Sequence, residues 1–256
     1  MALLYVEDMT HYFGGLRAVY DFDLQIEKGD LRGLIGPNGA GKSTIFNLIT
    51  GMYTPTEGTI SFKDVNLVGQ RPNEIAALGI GRTFQNLRLW RHMTVLDHVR
   101  LAHYSKIDYG LLDAFFGTAR CQRGEEKITD LAYELLEMMG VKRFADEVVT
   151  NLPYGVQRKV ELARAMAVEP ELLLLDEPTA GMNPEEMEEM MDVIREIHNE
   201  FGLAIYLIEH RMKVVMDLCE YIQTLNFGEV IAEGTPDEIR NNPVVIEAYL
   251  GEEDES

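Results

Sequence analysis

The sequence predicts an α/β fold: a mixed sheet that carries a phosphate-binding loop, with a helical segment set into the middle of the chain. Three observations predict it. Short apolar runs of strand length alternate with helical periodicity in both the N-terminal and C-terminal parts of the chain. The stretch Gly36-Pro37-Asn38-Gly39-Ala40-Gly41-Lys42-Ser43-Thr44 stands between a short apolar strand and a helix. From about Val95 to Val149 strand signals give way to helical ones.

Composition narrows the partners. The chain has 256 residues, with Lys+Arg 23 and Asp+Glu 43, a net charge of −20. That length supports one large domain or two small ones. A nucleic-acid binder carries a basic footprint, so this balance excludes nucleic acid and opposes broad adhesion to anionic lipid. The two cysteines, Cys121 and Cys219, show no metal-ligand spacing and read as packing residues in a reducing compartment. The start carries Glu7 and Asp8 and no basic leader region. No apolar run reaches the length of a membrane span, so the chain is expected in the cytosol or held to a membrane by a partner.

In order, Leu3–Met9 reads as an edge strand, followed by an aromatic cluster at the Gly14-Gly15 turn. Asp21–Ile26 alternates with period two, a half-exposed strand. These and Thr59–Phe62 predict an N-terminal antiparallel β subdomain. Leu31–Ile35 is a buried strand, and Ile45–Thr50 a helix stopped by Gly51. Asn73–Leu78 is a short helix closed by Gly79. Thr94 caps a helix over Val95–Tyr104, with Asp97 at its third position. Tyr109–Ala119 is apolar with glycine breaks, and Glu125–Met139 has a one-face apolar stripe ended by Gly140. Such aromatic and methionine-rich stripes are expected in the core. The expected division is a core of residues 1–94 and 150–256 and a helical subdomain of 95–149.

After Leu152-Pro153-Tyr154-Gly155-Val156-Gln157 comes a helix over Arg158–Val168. Leu172–Leu175 is four leucines in a row, a strand buried on both faces, as in parallel sheets. Asn183-Pro184-Glu185-Glu186 caps a helix that points Met187, Met190, Met191, Ile194, Ile197 and Phe201 inward. Leu203–Ile208 is another buried strand, and Met212–Cys219 is helical. Tyr221–Leu225 and Glu229–Ala232 form a hairpin about Asn226-Phe227-Gly228. Pro236–Leu250 is helical, with a frayed end over 251–256.

The chemistry centres on the glycine-rich loop, which fits G-x-x-x-x-G-K-[ST]. Gly36, Asn38, Gly39, Ala40 and Gly41 let successive backbone N–H groups turn inward on an anion. The helix N-terminus adds further donors and a partial positive charge. Lys42 is placed to reach β- and γ-phosphates, Ser43 to ligate Mg²⁺, and Thr44 to hold another phosphate oxygen. Asp176 and Glu177 end the four-leucine strand, where α/β sheets bind ligands. Asp176 is placed to hold Mg²⁺ through its water shell, and Glu177 to orient or deprotonate an attacking water. His210, ending the next buried strand, is a candidate γ-phosphate contact. Phe13 or Tyr12 offers a ring for a purine. Gln85 taken alone is a surface polar residue.

With these parts in this order, the chain resembles the ATP-binding subunit of ABC transporters, importers of the branched-chain amino acid type above all. The resemblance spans roughly residues 3 to 251. It is carried by Phe13-Gly14-Gly15-Leu16, the phosphate loop, Thr83-Phe84-Gln85-Asn86, Asp176-Glu177-Pro178-Thr179-Ala180-Gly181-Met182-Asn183-Pro184, Ile208-Glu209-His210 and Phe227-Gly228-Glu229-Val230-Ile231-Ala232-Glu233-Gly234-Thr235-Pro236. It implies a phosphate-loop nucleoside-triphosphatase core, with ATP and Mg²⁺ as cofactors. It implies that Phe13 stacks on adenine, that Gln85 senses γ-phosphate and Mg²⁺, that Glu177 is the catalytic base and that His210 contacts γ-phosphate. It also implies two cassettes, identical or not, closing head to tail, with Gly155 lent across to the other's ATP. The partners would be transmembrane permease subunits and, indirectly, an extracytoplasmic substrate-binding protein. The chain would sit peripherally on the cytoplasmic face of the inner membrane. Similar ATPases serve urea or amide import and lipid or lipopolysaccharide export, and some act outside transport altogether.

One segment departs from the family pattern, which is close to L-S-G-G-Q or L-S-Y-G-Q. Here it is Leu152-Pro153-Tyr154-Gly155-Val156. Pro153 supplies neither the serine hydroxyl nor a backbone N–H, and Val156 removes an amide. The signature this chain lends to a second cassette is therefore expected to be weak, with its own phosphate loop intact.

Overall fold

The computed structural model describes residues 2–106 and 109–253. The first sheet is built from β1 (Leu4–Phe13), β2 (Leu16–Ile26), β4 (Glu57–Phe62) and β5 (Val65–Asn66), all antiparallel, in the order β2-β1-β4-β5. Between β2 and β4 lie β3 (Leu31–Ile35) and α1 (Lys42–Ile49). Then follow α2 (Pro72–Ala77), β6 (Ile80–Arg82), α3 (Val95–His103), α4 (Leu111–Phe116), α5 (Ala119–Met138) and α6 (Tyr154–Met166). The chain continues with β7 (Leu172–Asp176), α7 (Pro184–Phe201), β8 (Ala204–Ile208) and α8 (Met212–Leu218). It closes with β9 (Tyr221–Asn226), β10 (Glu229–Gly234), α9 (Pro236–Arg240) and α10 (Pro243–Glu253). The second sheet runs β10-β9-β3-β8-β7-β6, parallel except for the β9–β10 hairpin. The predicted mixed sheet and antiparallel N-terminal sheet are both present.

The parallel sheet separates two cores by simple strand alternation. Leu173, Leu175, Ile205 and Leu207 face one core with the helical stripes of α5, α6 and α7. Leu172, Leu174, Tyr206 and Ile208 face the other, with α1 and the antiparallel sheet. All nine residues of Leu172–Leu175 and Ala204–Ile208 are buried, which is why the sequence there shows a continuous apolar run instead of alternation. The helical stretch is pinned at its two ends. Thr94 and Val148 form a bridge, and the Val95 N–H donates to Glu147 O at 3.0 Å. Thr94 caps α3 as the sequence predicts, accepting the Asp97 N–H at 3.1 Å.

Several expectations need correction. Leu3–Met9 is not an edge: β1 is paired on both sides, by β2 and β4. The helix after the phosphate loop begins at Lys42 rather than Ile45, because Gly41 (φ 107) turns the chain straight into it. The helix expected from Arg158 begins at Tyr154, and the one expected from Glu125 begins at Ala119, capped by Thr118. The C-terminal helix is two helices, broken at Asn241 and Asn242. Phe201, expected inward, is 47% exposed, since Gly202 (φ 58) ends α7 there. The apolar residues of Tyr109–Ala119 are not core: Leu111, Leu112, Phe115 and Phe116 are exposed on α4. Of the expected frayed end, residues 254–256 lie outside the described residues.

Candidate nucleotide site

The phosphate loop leaves β3 at Gly36, whose φ of 147 and contact with Leu225 O leave no room for a side chain: a Cβ there would lie 2.0 Å from that oxygen. At Gly41 a Cβ would lie 2.5 Å from Ala18 O. Because α1 starts at Lys42, Lys42, Ser43 and Thr44 form its first turn, where the backbone N–H groups have no intrahelical acceptor. Lys42 is 5% exposed, and its Nζ donates to Gly36 O at 2.6 Å and Pro37 O at 2.7 Å. The ammonium thus holds the loop in a ring around itself. Residues 38–44 line a cavity of about 260 Å³ together with Gln85, Glu177 and His210. Residues from four separate stretches of sequence meet there.

Glu177 follows directly on β7, and its backbone is left-handed (φ 50), a conformation that costs a non-glycine residue about 1–3 kcal/mol. The turn is held by its N–H donating to Ile208 O at 2.9 Å. It aims the carboxylate at the loop. Oε1 of Glu177 accepts from Gln85 Nε2 at 3.0 Å and meets His210 Nε2 at 2.7 Å.

Asp176 lies just behind. It is 3% exposed, and its Oδ2 pairs with Arg82 Nη2 at 3.3 Å. Arg82 is itself fixed by Asn47 Oδ1 at 2.9 Å and Thr50 Oγ1 at 2.7 Å, both at the end of α1 or just beyond it. Burial pushes the Asp176 carboxyl above its usual range, and the Arg82 guanidinium opposes that shift. Oδ1 of Asp176 is buried and has no hydrogen-bond partner among the described residues. A buried acceptor left over at Asp176, next in sequence to the cavity-lining Glu177, and an exposed Ser43 on the cavity wall fit a hydrated divalent cation. Among the described residues no group of three or more His, Cys, Asp or Glu could hold a metal alone.

Not every candidate meets in this chain. Phe13 is 43% exposed at the end of β1, edge-on to His11 (4.6 Å) and Tyr53 (5.2 Å), outside the cavity lining. Gly155 is buried in the first turn of α6, where a Cβ would lie 2.9 Å from Glu186 Oε1. It too is outside the cavity. Residues that sequence reading passed over support the site: Arg82, Arg158, and Glu209, whose Oε1 accepts both the N–H (2.9 Å) and hydroxyl (2.5 Å) of buried Thr179. Glu209 could have been found from its place between Ile208 and His210. The two arginines have no local signal.

Fold and site together define a phosphate-loop nucleotide-binding protein. The family model for ABC transporters matches residues 19–180, and one described as branched-chain amino acid ATP-binding cassette transporter matches residues 229–255. The chain is 44% identical over 250 residues to the high-affinity branched-chain amino acid transport ATP-binding protein LivG of Salmonella typhimurium, covering 98% of each. It is 40% identical to BraF of Pseudomonas aeruginosa, a protein with the same description, again over 98% of each. Among solved structures it superposes with a TM-score of 0.85 on an ABC transporter ATP-binding cassette in its ADP conformation, at 30% identity over 98% of this chain and 99% of that one. A dimeric bacterial ABC transporter cassette gives 0.78 at 26% identity, over 91% and 98%. The chain belongs to the ABC transporter family, as an ATP-binding cassette.

Proposed function

We propose that this protein binds ATP with Mg²⁺ and hydrolyses it to drive a membrane importer of branched-chain or related amino acids. The observation that carries the reading is the convergence of Gln85 and His210 on one oxygen of Glu177, at the rim of the phosphate-loop cavity. The names of its relatives support the amino-acid class.

Each residue has a role in this reading. The N–H groups of Gly36, Asn38, Gly39, Ala40 and Gly41 and of the first turn of α1 cradle the phosphates. Lys42 turns from the loop carbonyls to the β- and γ-phosphates. Thr44 takes a further oxygen, and Phe13 offers its exposed face to adenine. Ser43, Gln85 and the free Oδ1 of Asp176 would hold Mg²⁺, directly or through water. Bound Mg²⁺ supplies charge neutralisation at the phosphate oxygens. Glu177 accepts a proton from the attacking water and orients it, and His210 donates to the γ-phosphate. The Gln85–Glu177 hydrogen bond blocks that water's place until nucleotide draws Gln85 away.

The partners in this reading are permease subunits in the membrane and a second ATP-binding subunit that receives Gly155. An extracytoplasmic binding protein acts through the permease. The chain in this reading attaches peripherally to the cytoplasmic face of the inner membrane, as the relatives' description as transport ATP-binding proteins supports; no described helix is long and apolar enough to cross a membrane. The pinned ends at Thr94 and Val148 support a helical subdomain over 95–149 between core segments 1–94 and 150–256.

The test is ATP hydrolysis by this subunit alone and mixed with a second cassette, followed by leucine uptake into vesicles carrying the permease. Turnover abolished by Glu177→Gln and uptake dependent on this subunit are expected. ATPase activity with no amino-acid uptake would reject the importer assignment.

A further inference from the structure

The Gln85 segment is tied to a helix to which it does not belong. Arg158, in α6, is 3% exposed. Its Nη1 donates to Phe84 O at 2.8 Å and to Glu161 Oε2 at 3.0 Å. Its Nη2 donates to the Gln85 carbonyl oxygen, and its Nε donates to the Tyr154 hydroxyl at 3.0 Å. Glu161 Oε1 in turn accepts the Phe84 N–H at 3.4 Å. One planar guanidinium therefore joins the backbone of residues 84 and 85 to the first turn of α6, which carries Tyr154 and Gly155.

A buried Arg–Glu pair is a poor source of stability, because desolvation offsets most of the attraction and apolar side chains of similar volume do as well. What the guanidinium supplies and a hydrocarbon does not is direction: donors fixed in a plane, pointing at four different groups. The α6 turn needs such a fixing. Its N-cap is Pro153, with no side-chain cap bond. Toward the cavity, Gln85 Nε2 bonds Glu177 Oε1 at 3.0 Å. A continuous hydrogen-bonded chain thus runs from Glu177 through Gln85 and Arg158 to Tyr154.

We propose that Arg158 is a positioning residue that makes the Gln85 segment and the Tyr154–Gly155 turn move as one body. When nucleotide draws Gln85 off Glu177, the turn that this chain lends to a second cassette shifts with it. The inference rests on the reading of Gln85 as the nucleotide-sensing residue, and adds the side chain that carries its displacement to the signature segment.

The test is amide hydrogen exchange on the full chain, with and without Mg²⁺ and a non-hydrolysable ATP analogue. Wild type, Arg158→Lys, Tyr154→Phe and Gln85→Ala are compared. In wild type, nucleotide is expected to change protection at residues 84–86 and 154–158 together. In Arg158→Lys the change at 84–86 stays, while that at 154–158 falls about threefold or more. In the two-cassette ATPase the same variant lowers kcat about fivefold, with KM for ATP little changed. If Arg158→Lys only raises exchange equally with and without nucleotide, leaving the difference intact, the role is structural and the proposal is overturned. If Arg158→Lys fails to fold, Tyr154→Phe, which removes a single hydroxyl, takes its place in the same comparison. A Gln85→Ala chain with wild-type nucleotide-dependent protection would overturn the reading of Gln85 itself, whatever Arg158 does.

Discussion

Oε1 of Glu177 lies 2.7 Å from Nε2 of His210, across the gap between the ends of two neighbouring parallel strands. The left-handed backbone at Glu177 makes this approach possible. A carboxylate so placed, beside an imidazole and at the mouth of an anion-binding loop, is suited to take a proton from water. Glu177→Gln keeps the shape and removes the proposed base. Turnover is expected to fall by about 10²–10⁴-fold, with ATP affinity retained. A phosphate-release assay beside fluorescent-nucleotide binding checks both halves. A variant with turnover near wild type would show that another group takes the proton.

Lys42 is the next test. Its ammonium is held by the Gly36 and Pro37 carbonyls, charge-assisted bonds worth about 1.5–3 kcal/mol each when made to an ionised donor. Lys42→Ala removes the loop's internal tie together with the proposed phosphate ligand. ATP binding is expected to weaken about tenfold or more, and the nucleotide-dependent rise in melting temperature to shrink accordingly. Wild-type affinity in Lys42→Ala would place the phosphates elsewhere.

These two residues were legible because each announces itself locally. The phosphate loop is a run of adjacent residues, and Asp176-Glu177 end a four-leucine strand. Long, buried strands and well-capped helices such as α3 and α7 were legible for the same reason. What sequence could not give are meetings between distant residues. Arg82 lies 94 positions from Asp176, and Arg158 lies 73 from Gln85. No periodicity connects either pair. The start of α6 was missed because proline, not a capping serine or aspartate, precedes it. The strand β6 spans only Ile80–Arg82, too short for any pattern. The exposed tips of α4 were misread because apolar composition alone does not say which side a neighbour covers.

Arg82 carries a stability prediction. Its guanidinium and the Asp176 carboxylate are 7% and 3% exposed, and among the described residues Asp176 has no other cation paired with it. Removing one member of a buried pair leaves the other uncompensated, a loss of about 3–5 kcal/mol. Arg82→Met is expected to lower the urea midpoint by that order. The double variant Arg82→Met, Asp176→Asn should recover part of the loss, since no net buried charge remains. Equal destabilisation in single and double variants would show that Arg82 acts only through Asn47 and Thr50.

His98 gives a pH dependence. It is fully buried, its Nδ1 lies 2.7 Å from Thr94 O, and its Nε2 accepts the Trp90 N–H at 2.8 Å. The ring is therefore neutral with its proton on Nδ1, and burial lowers its pKa below the usual imidazole value of 6.5. The folded chain binds fewer protons here than the unfolded chain. The contribution to stability is thus complete above about pH 6.5 and is lost as pH falls through the folded-state value. Urea unfolding at pH 7.5 and 5.5 should show a larger fall for wild type than for His98→Gln. Equal falls would remove His98 from the account.

The signature segment supplies the last prediction. Pro153 is exposed and caps α6 without a side-chain bond, so serine at this position restores a hydroxyl cap and a backbone donor facing outward. Val156 differs: it is half-buried against the main core, so replacing it with glutamine exchanges packing for an amide. Pro153→Ser is therefore the cleaner change. It is expected to stabilise the chain by about 0.5–2 kcal/mol through the cap. In the assembled pair of cassettes it should raise ATP hydrolysis, because the site completed by this chain's segment gains a donor toward the γ-phosphate. In the chain alone at low concentration, where no second cassette is present, the rate should not change. If Pro153→Ser, with or without Val156→Gln, leaves the paired rate unaltered, then the backbone of the Tyr154–Gly155 turn already supplies all that the second site needs.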